Sequence, residues 1–222
     1  MITIKKLSFQ FEQAPQAVFS NADFSFAEGK LTFIEGKNGA GKSTLFQILM
    51  GQPEVQARVQ GSFSYQGKTY NLAQSEYRDF VQHSITRVCQ RFDELLVPHL
   101  TFQENLACAR FAPFPSFTSR IILPEIPALA DTLHIPTNTP VQLLSGGQRQ
   151  ILAILMVLQR SSSILLLDEP TATLDEENSQ LVMHFLCSLI QKQNLTVLMI
   201  SHDSSLYRYT TTTPLIITKN RN

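Results

Sequence analysis

The stretch Gly36-Lys37-Asn38-Gly39-Ala40-Gly41-Lys42-Ser43-Thr44 reads G-x-x-x-x-G-K-S, and it constrains the chain more than any other feature. Before it, Leu31-Thr32-Phe33-Ile34 is a short apolar run rich in strand formers; after it, Leu45, Ile48 and Leu49 recur at helical spacing. A strand that turns through three glycines into a helix aims successive backbone N–H groups, and the positive end of the helix, at one point. Such a point binds phosphate oxygens. Lys42 adds a mobile charge for the outer phosphates of a nucleotide, and the Ser43 hydroxyl suits a Mg2+ ion. Alone, the loop specifies a nucleotide and leaves the chemistry open.

The flanking sequence predicts the sheet that carries this loop. Apolar residues alternate from Ile2 to Phe11 and again at Ala22, Phe24 and Phe26 before the Glu28-Gly29-Lys30 turn, which predicts an antiparallel layer beside the nucleotide core. Val59 to Tyr70, with Gly61 and Gly67 flanking Phe63 and Tyr65, reads as a hairpin. Ile85–Cys89, Ile164–Leu167 and Val197–Ile200 read as buried strands, while Gln148–Leu158 and Leu181–Ile190 read as helices, the former apolar nearly all round. Strands alternating with helices imply a parallel sheet and an α/β class. Residues 91 to 144 change character, with prolines, clustered Phe residues and the capping-box pattern Thr101-Phe102-Gln103-Glu104 at the head of a short helix. An inserted, mostly helical subdomain is expected there, although Arg110 to Pro127 carries no helical period.

A chain of 222 residues can bury an ample core without staples. Its 18 basic and 18 acidic residues cancel, so the bulk charge excludes broad electrostatic binding to nucleic acid or anionic lipid, and any anion site must be local. Cys89, Cys108 and Cys187 are odd in number and widely spaced among apolar residues, which predicts buried free thiols in a reducing compartment. The N-terminus lacks the continuous apolar stretch of an export signal, and the longest apolar run, Ile151 to Leu158, is too short to span a bilayer.

Two further motifs carry chemistry. Ile164 to Leu167 delivers Asp168 and Glu169 at the carboxyl end of a buried strand, where α/β sheets bind their ligands. Asp168 is placed to hold Mg2+, directly or through water, and Glu169 to act as general base on an attacking water. Leu144-Ser145-Gly146-Gly147-Gln148 is a second glycine-rich turn opening onto a helix, and it implies a second anion-facing surface. One triphosphate does not need two cradles from a single chain.

The ordered series Gly36 to Thr44, Gln90, Leu144 to Gln148, Ile164 to Glu169, Leu174-Asp175 and His202 resembles the nucleotide-binding domain of ATP-binding cassette (ABC) transporters from Phe11 to Asp203. The resemblance implies a P-loop NTPase core, residues 1–90 and 161–222, with a mainly parallel sheet and an antiparallel β subdomain, and an inserted helical signature subdomain, residues 91–160. It makes Phe11 the aromatic that stacks on adenine, with Phe9 as the competing candidate, and Gln90 the glutamine that reaches Mg2+ and the attacking water. Nucleotide contacts are expected from Gly36, Asn38, Gly39, Ala40, Gly41, Lys42, Ser43 and Thr44. Asp175 matches the aspartate that couples the two sites of a dimer and also suits a helix N-cap; His202 matches the histidine that contacts the γ-phosphate. Metal contacts are expected from Ser43, Gln90 and Asp168, and catalysis from Glu169, His202, Gln90 and Lys42.

The same resemblance explains the two cradles. Two copies facing head to tail would close the Lys42 loop of one and Leu144, Ser145, Gly146, Gly147 and Gln148 of the other on one ATP. It further implies ATP hydrolysis, membrane permease subunits on separate chains, no nucleic acid partner, and a cytoplasmic position on the inner face of the membrane. An ABC ATPase that drives a soluble assembly or cell-envelope complex would use the same motor residues; a non-hydrolysing module would not need Glu169 and His202. After Gln148 the chain departs from the family's usual basic continuation, placing Ile151 and Met156 at those positions.

Overall fold

The computed structural model describes residues 1–52, 57–88, 92–110, 136–158 and 162–218. Two sheets organise them. β1 (Ile2–Phe11), β2 (Phe19–Phe26), β4 (Ala57–Tyr65) and β5 (Lys68–Asn71) form an antiparallel sheet in the order β2-β1-β4-β5. The expected hairpin is β4–β5, turning at Gln66 and Gly67, both at positive φ. β3 (Leu31–Glu35), β6 (Ile85–Val88), β7 (Ile164–Asp168), β8 (Thr196–Ile200) and β9 (Leu215–Ile216) form a second sheet, ordered β6-β7-β8-β3-β9, whose pairings are parallel.

The parallel sheet separates two hydrophobic cores, and the period of two along its strands assigns each residue to one of them. Leu31 and Phe33, Leu165 and Leu167, and Val197 and Met199 face one core with α3 (Phe102–Arg110), α4 (Gly146–Val157) and α5 (Glu176–Gln193). Ile34, Ile164, Leu166, Leu198 and Ile200 face the other, which they share with α1 (Lys42–Leu49), α2 (Ser75–Ser84) and the antiparallel sheet. Strands covered on both faces are mostly apolar, which is why their sequences show runs rather than alternation. Each Leu or Ile buried in this way contributes about 1.5–3 kcal/mol.

Local signals place the helices. Thr101 and Glu104 form the expected capping box at α3, with Thr101 N–H and hydroxyl both donating to Glu104 Oε2 at 2.8 Å and Glu104 N–H returning to Thr101 Oγ1 at 3.2 Å. The helix expected over Leu181–Ile190 runs from Glu176 to Gln193, because Asp175 caps its start and Asn194, at φ 53°, ends it in the left-handed conformation. Ile151 is fully buried in α4 and Met156 packs against the same core, so the departure from a basic continuation makes this helix apolar on nearly every face. One expectation is corrected: Cys108 is exposed and Cys187 half-buried, since Cys108 falls on the outward side of α3. Cys89 and residues 110–127, apart from the backbone of Arg110 in α3, lie outside the described residues.

Candidate functional site

The registers of the parallel sheet bring the motifs to one edge. Ile34 lies beside Ile200, and Ile200 beside Asp168, so the Gly36 loop, the Asp168-Glu169 pair and the Ser201-His202 segment all leave the sheet at the same row. The loop is shaped by its glycines. Gly41, at φ 103°, is the N-cap of α1, and a Cβ there would come within 2.7 Å of Val18 Cγ1 and 2.9 Å of the Phe19 ring. Any other residue would be strained and would push the antiparallel sheet off the loop. Gly41 has no side chain with which to cap α1, so among the described residues its first N–H groups remain available to an anion. Lys37, Asn38, Gly39 and Ser43 are exposed, Ala40 is buried, and Gly36 and Thr44 are half-buried.

Lys42 is buried, and its Nζ donates to the carbonyl of Gly36 at 2.7 Å and of Lys37 at 3.4 Å. The ammonium thus lies across its own loop, held by neutral acceptors that a phosphate oxygen outcompetes. Glu169 stands at φ 49°, a left-handed conformation unusual for this residue, with its N–H donating to Ile200 O at 3.0 Å. His202 Nε2 is 3.3 Å from Glu169 Oε1, with the histidine ring the more exposed of the two. Asp168 receives Arg87 Nη2 on Oδ2 at 2.6 Å. Arg87 is a site residue that sequence reasoning missed; only the adjacency of β6 and β7, which are far apart in the chain, reveals it. Gln90 lies outside the described residues.

The two aromatic candidates separate. Phe9 is 1% exposed within the core, whereas Phe11, at the end of β1, is half-buried and meets the Phe9 ring edge-on at 4.9 Å. Phe11 retains ring surface to offer a base.

Leu144 to Gln148 belong to a different constellation. Ser145 caps α4 in a capping box, accepting Gln148 N–H at 3.2 Å while its own N–H donates to Gln148 Oε1 at 3.1 Å. Ser145 Oγ donates to Asn178 Oδ1 at 2.7 Å, and Gly147 N–H donates to the same oxygen at 3.2 Å. A Cβ at Gly147 would lie 2.7 Å from that oxygen, so only glycine allows the contact. Asn178 is held in turn by Asp175, whose Oδ1 accepts Asn178 N–H at 2.8 Å and whose two oxygens each take Nδ2 at 2.9 Å. These bonds hold the exposed Asp175 carboxyl below its usual range, the backbone N–H of Asn178 having the largest effect. Asn178 is a second missed residue; its only sequence signal is the three-residue spacing from a helix cap. Ser145 is exposed and Gly147 buried, and their polar contacts run to α5 rather than to the Gly36 loop.

Oxygen donors of this kind, one hydroxyl on Ser43 and one carboxylate on Asp168, fit Mg2+, which takes one or two protein oxygens and keeps phosphate and water as its other ligands. Among the described residues no helix is long and apolar enough to cross a membrane.

The family pattern for ABC transporters matches residues 19–172. The Tyrosine transport ATP-binding protein of Clostridioides difficile (strain R20291) is 30% identical over 214 residues, covering 91% of this chain and 82% of that protein. The Ribose import ATP-binding protein RbsA of Rhodopirellula baltica is 33% identical over 186 residues, which are 81% of this chain and 34% of RbsA, so the chain spans about a third of that longer relative. Among solved structures, the dimeric bacterial ABC transporter cassette MJ0796 superposes with a TM-score of 0.72 at 23% identity, over 99% of this chain and 95% of that one. The post-hydrolysis dimer of the same cassette, bound to ADP and Pi, superposes with a TM-score of 0.67 at 25% identity, over 95% and 91%. The chain belongs to the ABC transporter family, as one of its ATP-binding, ATP-hydrolysing cassettes.

Proposed function

We propose that two copies of the chain bind Mg-ATP head to tail and pass the energy of hydrolysis to membrane-spanning permease subunits on separate chains, at the inner face of the cell membrane. The observation that carries this reading is the division of the site. Lys42, Asp168, Glu169 and His202 gather at one sheet edge, while Ser145 and Gly147 present their donors on α4, turned toward α5. A second copy supplies what the first lacks. No nucleic acid enters this function, and the subdomain expected over residues 91–160 carries the second cradle, on α4.

In this reading Lys42 leaves the Gly36 carbonyl for the outer phosphates, and Phe11 stacks on adenine. Ser43, Asp168 and Gln90 would hold Mg2+, which would supply charge neutralisation to the triphosphate. Glu169 accepts a proton from the water that attacks the γ-phosphorus as the bond to the bridging oxygen breaks, and ADP and phosphate leave. His202 holds the carboxylate of Glu169 toward that water. Loss of the γ-phosphate link then lets the dimer open.

The test is a pair of substitutions. Glu169→Gln should retain ATP, run as a dimer on gel filtration with ATP present, and lose turnover by about 10²–10⁴-fold. Lys42→Ala should fail to bind ATP and stay monomeric. Turnover near the parent's in Glu169→Gln would remove Glu169 from the role of base, and a monomer with ATP bound would remove the head-to-tail arrangement.

A further inference from the structure

We propose that Arg87 is a built-in counter-ion for Asp168 that stands in for the metal and thereby makes nucleotide binding depend less on Mg2+ than the bare carboxylate would. This rests on the reading of Asp168 as a metal-holding residue. The geometry begins in the register. On β6, Ile85 and Arg87 face the core that contains α1, and on β7 so do Ile164, Leu166 and Asp168. Arg87 lies beside Leu166 and its side chain reaches along the strand to Asp168, where Nη2 meets Oδ2 at 2.6 Å. The guanidinium sits 5.8 Å from the centre of the Phe46 ring on α1, the helix that the phosphate loop opens.

The environment makes the pair strong. The side chains are 22% and 16% exposed, so solvent screens them weakly. Arg87 Nε is buried without a hydrogen-bond partner among the described residues, so the arginine gives up a donor to keep its place beside Asp168. A carboxylate paired in this way attracts a second cation less, and repels a triphosphate less, than one left alone. Arg87 therefore acts as a positioning residue, through Asp168, and has no need to touch the nucleotide.

The experiment measures ATP affinity in EDTA and in Mg2+, in the Glu169→Gln background so that no ATP is consumed, and reads the ratio of the Mg2+ affinity to the EDTA affinity. The affinity of free ATP for Mg2+ is common to all variants and cancels. Asp168→Asn should lower the ratio; if it does not, Asp168 is not the metal-holding residue and the proposal falls with that reading. Arg87→Met, which keeps an apolar stem of similar length without the charge, should weaken ATP in EDTA and raise the ratio about tenfold, the least that an opposite charge a few ångströms away contributes. In Arg87→Met with Asp168→Asn, ATP binding in EDTA should return to the parent value. An unchanged ratio in Arg87→Met while Asp168→Asn lowers it would overturn the proposal alone. So would a double variant that stays weak, because the arginine would then be touching phosphate directly. Arg87→Gln, which keeps a donor without the charge, should raise the ratio as Arg87→Met does, and a ratio at the parent value in this variant would also overturn it.

Discussion

Ser145 gives its hydroxyl proton to Asn178 Oδ1 across 2.7 Å, which ties the first turn of α4 to the first turn of α5. The same oxygen takes the N–H of Gly147, so two donors of the second cradle are satisfied inside the chain by one amide. Asp175 fixes that amide from the other side, which places both cradle and cap under the control of one residue.

Asn178→Ala should therefore act in two ways. Losing a shared acceptor and a cap contact costs about 1–2 kcal/mol of stability, read from urea unfolding. In the Glu169→Gln background it should also weaken ATP-dependent dimerisation on gel filtration, while ATP affinity of the single chain stays at the parent value. Unchanged dimerisation would show that the amide serves only the fold of α5.

The Phe9 and Phe11 rings touch, yet substitution should separate them. Phe9→Ala removes a ring from the core and should destabilise the chain by about 3–5 kcal/mol. Phe11→Ala should leave the unfolding midpoint nearly in place and weaken ATP binding by about 1–3 kcal/mol. The measurements are urea unfolding and nucleotide titration on both variants. A Phe11→Ala chain with parent affinity would take the adenine contact elsewhere.

How far the sequence reveals this site depends on how local each signal is. The loop from Gly36 to Thr44, the capping box at Thr101 and Glu104, and the cap at Asp175 are all written within a few residues, and each stands where its pattern places it. The runs of β3, β7 and β8 were legible because burial on both faces leaves few polar positions. α2 was not: Ser75 to Ser84 is mostly polar, and only Tyr77 and Val81, one turn apart, are buried. β9 is two residues long and exists because Leu215 and Ile216 pair with the end of β3. Arg87 was hidden because an arginine in a strand reads as a solvent-facing residue until its neighbour strand is known.

Acid should loosen the helix starts. The Glu104, Asp175 and Asp203 carboxyls are held below the usual range, chiefly by the Thr101 backbone N–H, the Asn178 backbone N–H and the Ser205 side chain respectively. Near the ordinary carboxylate range the unfolded chain then binds more protons than the folded one. Their contribution is complete above that range and disappears as pH falls below about 4 toward the lower folded values. Urea midpoints measured between pH 6 and 3 should fall, and Asp175→Asn, which still caps α5 but does not titrate, should make that decline shallower.

Glu169, the proposed base, stands on an unfavourable backbone. Its φ of 49° is a conformation that costs an ordinary L-residue about 1–2 kcal/mol, and asparagine tolerates it because its short side chain bonds locally. The contact with His202 offsets little of this, since the histidine is about half exposed. Glu169→Asn should thus raise the urea unfolding free energy by up to about 1 kcal/mol while removing turnover. A chain that lost both stability and activity would show that Glu169 is held in place by contacts worth more than its strain. A chain that gained stability would identify the base as a residue kept at the expense of the fold, fixed at φ 49° because β7 must stop at Asp168 and turn at once for the carboxylate to meet His202 at the sheet edge.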